Sequence, residues 1–477
     1  MKRIPELGLV FLVVGALAGP VGGNAVFADS SVAARPSGSA AVPVFSGRTL
    51  PSGKDNAVPS GAVSMPDAVD RALRHNPSLG SQEAQGQSSE EARKSARGAF
   101  GPKLGTTYSA SKQERKTSPA LPSSSRPAEK GTYTWAVEIS QPVFQGFQLL
   151  ANYQKAALQA DSDKASVRNA ELSMTESVQT QFLNYLRYEE SVRSQRDALA
   201  RLQDQLRITT AFFGVGLRPR LDVLQAEVDV RQAENTLIQV ENSRDTSLAK
   251  LNTLLGLPAT AQIKFTGKLA HVPFTRSLEQ CLEAAYRQRP DLYMAARSVE
   301  IAGKSQQAVQ SGYYPQVEAY YNVSQSGNSL DLQENGDRGS RSSVWEVGAR
   351  ATWDVFQWGT TYYADKEAGW LVTKMRYAEE DLKLSVGYDI KSKLLAVQEA
   401  AKRITVAEKG VEQSTEAYNV ALARYQEQVG TNFDVLDASS KLTTAQATLT
   451  GAKADYLTAL AQLYVAMGEF HPDLMRR

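Results

Sequence analysis

The residues with the clearest potential for chemistry are three aspartates at the starts of two predicted helices. Asp222 lies in the segment Leu221–Leu224, and Asp434 lies at the matching place in the segment Phe433–Leu436. Asp437 follows one helical turn later. An aspartate in the first turn of a helix stabilises that helix by about 0.3–1 kcal/mol through the helix dipole. For Asp222 and Asp434, capping and a functional role therefore explain the sequence equally well.

Asp437 differs from the other two because its counterpart in the earlier segment is Gln225. A structural role common to both segments would not demand this difference. We therefore favour a functional role for Asp437 over capping.

Several classes of enzyme and nucleic-acid-binding protein are disfavoured by the sequence. It has no Gly-x-Ser-x-Gly, His-Glu-x-x-His or Gly-x-x-x-x-Gly-Lys motif. Its three histidines lie far apart in the sequence, which argues against a histidine-rich metal site. Its one cysteine, Cys281, matches Ala68 in the repeat described below, so we expect a small buried residue at this position. The formal net charge of +2 gives no sign of a nucleic-acid partner. We expect no enzymatic activity, no cofactor and no metal.

The aspartates belong to a repeat that covers most of the chain. Segments that match in order lie 212 or 213 residues apart, for example Ser64–Val69 with Ser277–Leu282 and Val143–Gln145 with Val355–Gln357. Chance does not explain a register held over such a length. The predicted units are a first copy at 64–256, a linker at 257–276, a second copy at 277–468 and a tail at 469–477.

Each copy contains a stretch of helix that is longer than a globular core needs. The stretches 148–213 and 360–426 contain no proline and are rich in Ala, Leu, Glu, Gln, Lys and Arg. At 1.5 Å per residue, each helix is on the order of 100 Å long. A return helix follows each one, at 219–255 and at 434–467. Two hairpins of this length predict a rod or a tube.

Between the helices lie segments in which apolar and polar residues alternate. Trp345 and Val347 fall on one face of such a segment, and Glu346 and Arg350 fall on the other. A soluble sheet packed on helices gives the same pattern, but a secretion signal and rod-length helices favour strands that cross a membrane. Four strands are too few to close a barrel, so several copies must share one. The predicted strands are 104–112, 132–144, 316–325 and 343–356.

The N-terminus predicts export from the cytoplasm. Lys2 and Arg3 precede the apolar stretch Leu7–Gly19, and Ala28 ends an acceptable cleavage site. A membrane anchor is the less favoured interpretation of residues 1–28. Residues 29–63 are rich in Ser, Ala, Gly and Pro, which is typical of a flexible leader.

Taken together, these features resemble the TolC-type outer-membrane channel family. The resemblance rests on the duplicated plan and on local motifs in a fixed order. These motifs are Ala72–Pro77, Gln141–Gly146, Gly214–Leu224 and Val429–Ala438. It implies a mainly helical fold with membrane β-strands: a homotrimer with a twelve-stranded outer-membrane barrel, four strands per chain, and a helical tunnel in the periplasm. It also implies two protein partners, a periplasmic adaptor and an inner-membrane pump of ABC or RND type, with passive passage of drugs or secreted proteins.

The resemblance further implies a gate at the periplasmic tips of the hairpins. Asp434 and Asp437 match the family's paired aspartates, which in three copies form two rings of carboxylates that attract cations. Asp222 and Tyr425 match positions that link neighbouring hairpins. Gly430 stands where the best-known member has an arginine, so a cationic clasp there is in doubt, and Arg218 or Arg220 on the first hairpin is an alternative source of one.

The two turns at the hairpin tips are the predicted contacts of the adaptor. Their glycines also fit the needs of a tight turn between helices, so turn chemistry is the competing explanation. A periplasmic coiled-coil scaffold or adaptor without membrane strands is the alternative to the channel as a whole. The predicted contact residues are Gly214, Val215, Gly216, Leu217, Gly430 and Thr431.

Overall fold

The computed structural model describes residues 61–113, 130–327, 341–471 and 474. All of them belong to the larger of the two units into which the chain divides, Gly47–Arg477. The predicted signal peptide at 1–28 and most of the predicted leader lie outside these residues. Within the described part of the chain, none of the helices has a stretch long and apolar enough to cross a membrane.

The structure contains two successive copies of the same order of elements. In each copy two shorter helices precede two strands, and two long helices follow. The first copy comprises α1 (Met65–His75), α2 (Pro77–Gly98), β1 (Lys103–Gln113), β2 (Lys130–Gln145), α3 (Gln148–Gly214) and α4 (Arg220–Leu254). The second comprises α5 (Leu278–Gln288), α6 (Pro290–Gln310), β3 (Gln316–Gly327), β4 (Arg341–Thr352), α7 (Thr360–Gln426) and α8 (Asn432–Ala466).

Prolines set the boundaries of the shorter helices. Pro77 and Pro290 occupy the first positions of α2 and α6. The N–H at the first position of a helix has no acceptor within the helix, so a proline there costs no hydrogen bond. The Asn76 side chain caps α2 by accepting a 2.8 Å hydrogen bond from the Ser78 N–H. The same residue donates a 2.8 Å hydrogen bond to the Leu254 carbonyl, which ties the start of α2 to the end of α4.

The four strands form one antiparallel sheet in the order β1-β2-β3-β4. Glu138, Asn322 and Glu346 are aligned across three of the strands, so their side chains share the polar face. On the opposite face, Ile139 pairs with Tyr321 and Tyr321 with Val347. The predicted fold class, long helical hairpins combined with four strands, is confirmed.

Two predicted boundaries are wrong. The last strand ends at Thr352 and not at 356. Thr352 pairs with Gln316, the first residue of β3, and the residues before Gln316 form a short 3-10 turn at Ser311–Tyr313. Residues after Thr352 therefore have no extended partner in β3 with which to form ladder hydrogen bonds. Val63, assigned to the flexible leader, is buried and bridges Phe265. Its N–H donates to the Lys264 carbonyl at 2.9 Å, and its carbonyl accepts from the Thr266 N–H at 3.0 Å.

The hydrophobic core lies where both copies meet around α3 and α8. Phe265, from the segment between the copies, packs edge-on against Phe182 and Tyr185 of α3. Tyr456 of α8 is fully buried and donates its hydroxyl to the Val272 carbonyl of the same segment. The segment between the copies is therefore packed into the core and helps to hold α3 against α8.

The long helices lie side by side as a layer whose order changes along its length. The first half of α3 lies between α2 and α6, and α6 packs on α7, where Gln306 donates to Asp365 at 2.9 Å. The second half of α3 lies between α4 and α8, and α8 packs on α7, where Arg403 bonds to Asp455 at 3.3 Å. Helix α7 thus forms one border of the layer, beside α6 and then beside α8, and α2 and α4 form the other.

Candidate hairpin-tip gate

In both hairpins the first long helix ends with the same hydrogen-bond pattern before the chain turns back. The Leu217 N–H donates to the Phe212 carbonyl at 2.9 Å, and the Val429 N–H donates to the Arg424 carbonyl at 2.9 Å. Both endings need a residue with positive φ, which is Gly216 (φ 77°) in the first turn but Gln428 (φ 65°) in the second. A side chain in this region costs about 1–2 kcal/mol, so packing around the second turn must offset that cost.

A buried polar network joins the two tips. The Asn432 side chain lies at its centre and is 1% exposed. Its Oδ1 accepts hydrogen bonds from Gln205 Nε2 at 2.7 Å and from Thr209 Oγ1 at 3.3 Å, and its Nδ2 donates to the Asp222 carbonyl at 3.2 Å. The Tyr425 hydroxyl lies 3.1 Å from Thr209 Oγ1. These bonds link α3 and the start of α4 to the end of α7 and the start of α8.

The Tyr425 ring is fully buried between an aromatic ring and a cation from the first hairpin. The Phe212 ring centroid lies 5.7 Å from that of Tyr425. The Arg218 guanidinium carbon lies 4.9 Å from the Tyr425 ring centroid, and Arg218 Nη2 donates a 2.6 Å hydrogen bond to the Gly430 carbonyl. The predicted linking role of Tyr425 thus has a geometric basis within a single chain.

Asp434 caps the helix on which it lies. Its carboxylate accepts hydrogen bonds from the Thr431 N–H at 3.0 Å and the Thr431 hydroxyl at 2.8 Å, and its own N–H donates to that hydroxyl at 3.2 Å. The hydroxyl bond, followed by the backbone bond, holds the pKa of the Asp434 carboxyl below its ordinary value. The cap is therefore complete above the unfolded-state pKa and is lost only as the pH falls through the lower folded-state pKa.

Asp437 is paired with a cation that the sequence did not lead us to single out. Lys441 Nζ lies 2.8 Å from Asp437 Oδ2, one turn further along α8. The Lys441 side chain is 71% exposed and the Asp437 side chain is 44% exposed, so this pair contributes little to stability. Its consequence is electrostatic, because each Asp437 carboxylate is partly neutralised by a neighbouring ammonium group.

An open groove of about 790 Å³ separates the start of α4 from the start of α8. Apolar side chains of Leu224, Val228 and Phe433 line it together with Asp437. Asp229 lines the same groove, and burial raises the pKa of its carboxyl. The groove therefore combines carboxylates with exposed apolar surface.

The other predicted site residues lie in or beside the two turns and differ in exposure, since Gly430 is half-buried and Thr431 is exposed. Val215 and Leu217 are 71% and 50% exposed, and Gly214 and Gly216 are also exposed. The Asp222 side chain is half-buried, and its backbone carbonyl, not its carboxylate, takes part in the network. In the part of the chain that is described, no group of three or more His, Cys, Asp or Glu side chains could hold a metal ion.

No sequence pattern predicts the centre of the network. Gln205, Thr209 and Asn432 are contributed by two helices that are more than 200 residues apart, and each residue alone is an ordinary polar residue in a helix. Only the packing of α3 against α8 brings them together. Lys441 had a detectable signal, because it follows Asp437 at the spacing of a helical ion pair.

Comparison with known proteins gives consistent matches across the chain. The family described as outer membrane efflux protein matches residues 68–257 and 281–469. The outer membrane protein TolC of Vibrio cholerae is 25% identical over 412 residues, covering 85% of this chain and 91% of the relative. The alkaline protease secretion protein AprF of Pseudomonas aeruginosa is 21% identical over 337 residues, covering 70% and 69%. The solved structure of VceC from Vibrio cholerae superposes with a TM-score of 0.70 at 19% identity, covering 85% of this chain and 96% of that one.

The combination of two long helical hairpins with a four-stranded sheet is thus a fold that this chain shares with the outer membrane protein VceC. The chain belongs to the outer membrane efflux protein family, whose two matched segments cover both copies of the repeat. Its location is the outer membrane. The family and its relatives are channel proteins and not enzymes.

We predict that Asn432→Ala loosens the tips. The substitution leaves the buried Gln205 and Thr209 groups without their acceptor, which costs about 1–3 kcal/mol. Amide hydrogen exchange in the segment 425–435 should become roughly 10–100 times faster. Ser440→Ala, at an exposed site on the same helix, is the control and should leave exchange unchanged. Equal exchange in Asn432→Ala and in the control would contradict the network.

Proposed function

We propose that three copies of this chain close one cylinder, which is the exit duct of a tripartite efflux pump or type I secretion system. The observation that carries the proposal is that, within the described residues, the sheet and the helical layer both end in borders that no other element of the chain covers. The four-stranded sheet has β1 and β4 as its outer strands. An unpaired strand edge in lipid leaves N–H and C=O groups unsatisfied, so β1 of one copy must pair with β4 of the next.

The helical layer supports the same arrangement. Large side chains at steps of seven residues along α7 are almost fully exposed in the single chain. They are Tyr363, Trp370, Tyr377 and Leu384, each 70–76% exposed. A seam that repeats every seven residues fits the packing of one helix on another in a coiled coil. The border helices α2 and α4 of the next copy would cover this seam.

The proposed number of copies, three, comes from the family resemblance and agrees with the number of strands that a membrane-spanning barrel needs. One chain offers four strands, and spanning barrels contain eight or more. Three copies give twelve strands and, at any level of the tunnel, twelve helices. Cargo would pass along the lumen without any chemical step.

The hairpin tips would form the gate of this duct at its periplasmic end. Asp434 and Asp437 would provide the rings of carboxylates, and Tyr425 with the backbone of Asp222 would hold the hairpins together. Residues of the two turns, all exposed except the half-buried Gly430, would meet a periplasmic adaptor, which joins the duct to an ABC-type or RND-type pump. The contact residues are Gly214, Val215, Gly216, Leu217, Gly430 and Thr431.

We predict that a charge in the α7 seam prevents assembly. In Tyr377→Glu and Leu384→Glu a carboxylate would have to be buried between copies, at a cost of several kcal/mol. The trimer fraction in detergent, measured by size-exclusion chromatography with light scattering, should fall sharply. Arg376→Glu introduces the same carboxylate at an exposed site beside the seam and should leave the trimer intact. Trimers in all three variants would contradict the proposed interface.

We predict that removing the two carboxylates at the gate and removing the neighbouring lysine change the ion selectivity in opposite directions. Asp434→Asn with Asp437→Asn removes the carboxylate rings and should shift the reversal potential in a KCl gradient towards zero. Lys441→Gln removes the neutralising ammonium and should increase the preference for cations. Planar-bilayer recordings of the full chain measure both. An unchanged reversal potential in both variants would exclude these residues from the pore.

A further inference from the structure

We propose that a pocket between α3 and α6, directly below the sheet, binds an anionic phospholipid of the inner leaflet of the outer membrane. Lys304 binds the lipid phosphate, and Phe147 and Leu150 contact the acyl chains. This inference rests on the proposed barrel, because the barrel places this end of the sheet at the periplasmic surface of the membrane. It adds a ligand that the passage of cargo does not require.

The apolar face of the sheet continues into this pocket. Phe144, near the end of β2, pairs with Val317, which lies on the same face of β3 as Tyr321. The Phe147 ring packs edge-on against Phe144 with the ring centroids 5.2 Å apart, and Tyr314 packs edge-on against Phe147 at 5.8 Å. The aromatic rings therefore extend the face that would contact lipid beyond the last residue of the strand.

A strained turn of the backbone fixes the position of Phe147. Gly146 (φ 57°) and Phe147 itself (φ 67°) follow β2 directly, and both have positive φ. A Cβ atom at residue 146 would lie 2.6 Å from the Ser311 carbonyl oxygen, so only glycine fits there. A left-handed conformation is unfavourable for phenylalanine, yet Phe147 remains 56% exposed in the single chain. Contact between this ring and a lipid would add stabilisation that packing within the chain does not supply.

The pocket has a volume of about 330 Å³ and combines apolar with polar side chains. Phe147 and the 44% exposed Leu150 provide its apolar part, and Lys304 and the amides of Gln154 and Gln307 provide its polar part. Among the described residues, no Asp or Glu lines the pocket. An ammonium group beside apolar surface at the edge of a membrane suits a lipid with a negatively charged headgroup.

Lys304 lies at a suitable height for a lipid phosphate. It is half-buried, and its Nζ donates to a neutral acceptor, Gln307 Oε1, at 3.1 Å. Along the helix axis it lies about 9 Å from the end of α6 at Gln310. The headgroup layer of a bilayer is roughly 5–8 Å thick on each side, so its phosphates come within reach of the ammonium group.

The pocket also remains available when copies assemble. Helices α3 and α6 pack on each other inside the helical layer, whereas the borders that would meet other copies are formed by α7 and by α2 and α4. Each chain therefore carries a complete pocket of its own.

The repeat separates the strained turn from the chemistry of the pocket. The junction of β4 with α7 has the same two consecutive residues with positive φ, Trp358 and Gly359. In α2, however, the position that matches Lys304 is Glu91, which forms an ion pair with Lys94 at 2.8 Å. A role in helix packing common to both copies would not demand this reversal of charge, so the cation indicates a ligand specific to the pocket between α3 and α6.

The experiment measures lipid binding to the purified full-length trimer by native mass spectrometry in detergent. Dioleoyl phosphatidylglycerol is the probe, phosphatidylcholine with the same acyl chains tests the headgroup charge, and glycerol phosphate tests the headgroup without chains. The proposal predicts one tight site per chain for phosphatidylglycerol, weaker binding of phosphatidylcholine, and no binding of glycerol phosphate at the same concentration.

Substitutions at the cation test the site directly. Lys304→Gln should lower the affinity for phosphatidylglycerol about five- to tenfold, because a contact between ammonium and phosphate is lost. Lys304→Arg retains the charge and should bind like wild type. The matched control is Lys155→Gln, at an exposed position of α3 outside the pocket, which should also bind like wild type. A photoactivatable phosphatidylglycerol should label the wild-type protein within residues 147–154 or 304–314.

Four results would overturn the lipid pocket. They are equal affinities in Lys304→Gln and in the control, equal binding of the two lipids by wild type, binding of glycerol phosphate as tight as that of the lipid, and photolabelling confined to other parts of the chain. A wild-type protein that forms no trimers would instead overturn the proposed barrel. The two failures are distinguishable because the lipid measurements are made on intact trimers.

Discussion

The organisation of this protein depends on the need to satisfy every backbone hydrogen bond of a sheet that lies in a lipid bilayer. Among the described residues, strands β2 and β3 each have two neighbours in the sheet, whereas β1 and β4 each have one. Lipid cannot replace the missing partners, and in the proposed trimer the neighbouring copies supply them. The helical layer also has an uncovered border among the described residues, because α7, which follows β4, has an apolar seam along its free side.

A second constraint acts at the opposite end of the molecule. The hairpins are long, and their tips lie far from the sheet, so local bonds alone must set the distance between them. A buried network around Asn432 and a cation from Arg218 provide these bonds. Such polar contacts can be broken and remade without exposing a hydrophobic core, which suits the proposed gate. The hairpin tips and the sheet are thus stabilised by different physical means.

Much of the fold could be predicted from the sequence because the repeat fixes the order of elements twice. Pro77 and Pro290 mark equivalent helix starts, and the long proline-free stretches can only be helices. The end of β4 was misjudged because apolar alternation continues past Thr352, whereas the ladder depends on a partner strand that begins at Gln316. At the tips, Asp434 and Tyr425 were identified through the family resemblance, but the network that surrounds them depends on packing between distant helices, which no local pattern reveals. Likewise, only the structure shows which of the two arginines considered, Arg218, contacts the second tip.

The most direct test of the account is the closure of the sheet between copies. In one chain β1 and β4 are separated by two strands, on the order of 14 Å, which is too far for a disulfide. Cysteine pairs should therefore be placed with one residue at 105, 107 or 109 on β1 and one at 344, 346 or 348 on β4, and oxidised in the outer membrane. We expect at least one pair to yield covalent dimers and trimers, with the trimer as the largest species on a denaturing gel. Monomers alone from every pair, with both thiols still free, would contradict the claim that copies of this chain complete one barrel.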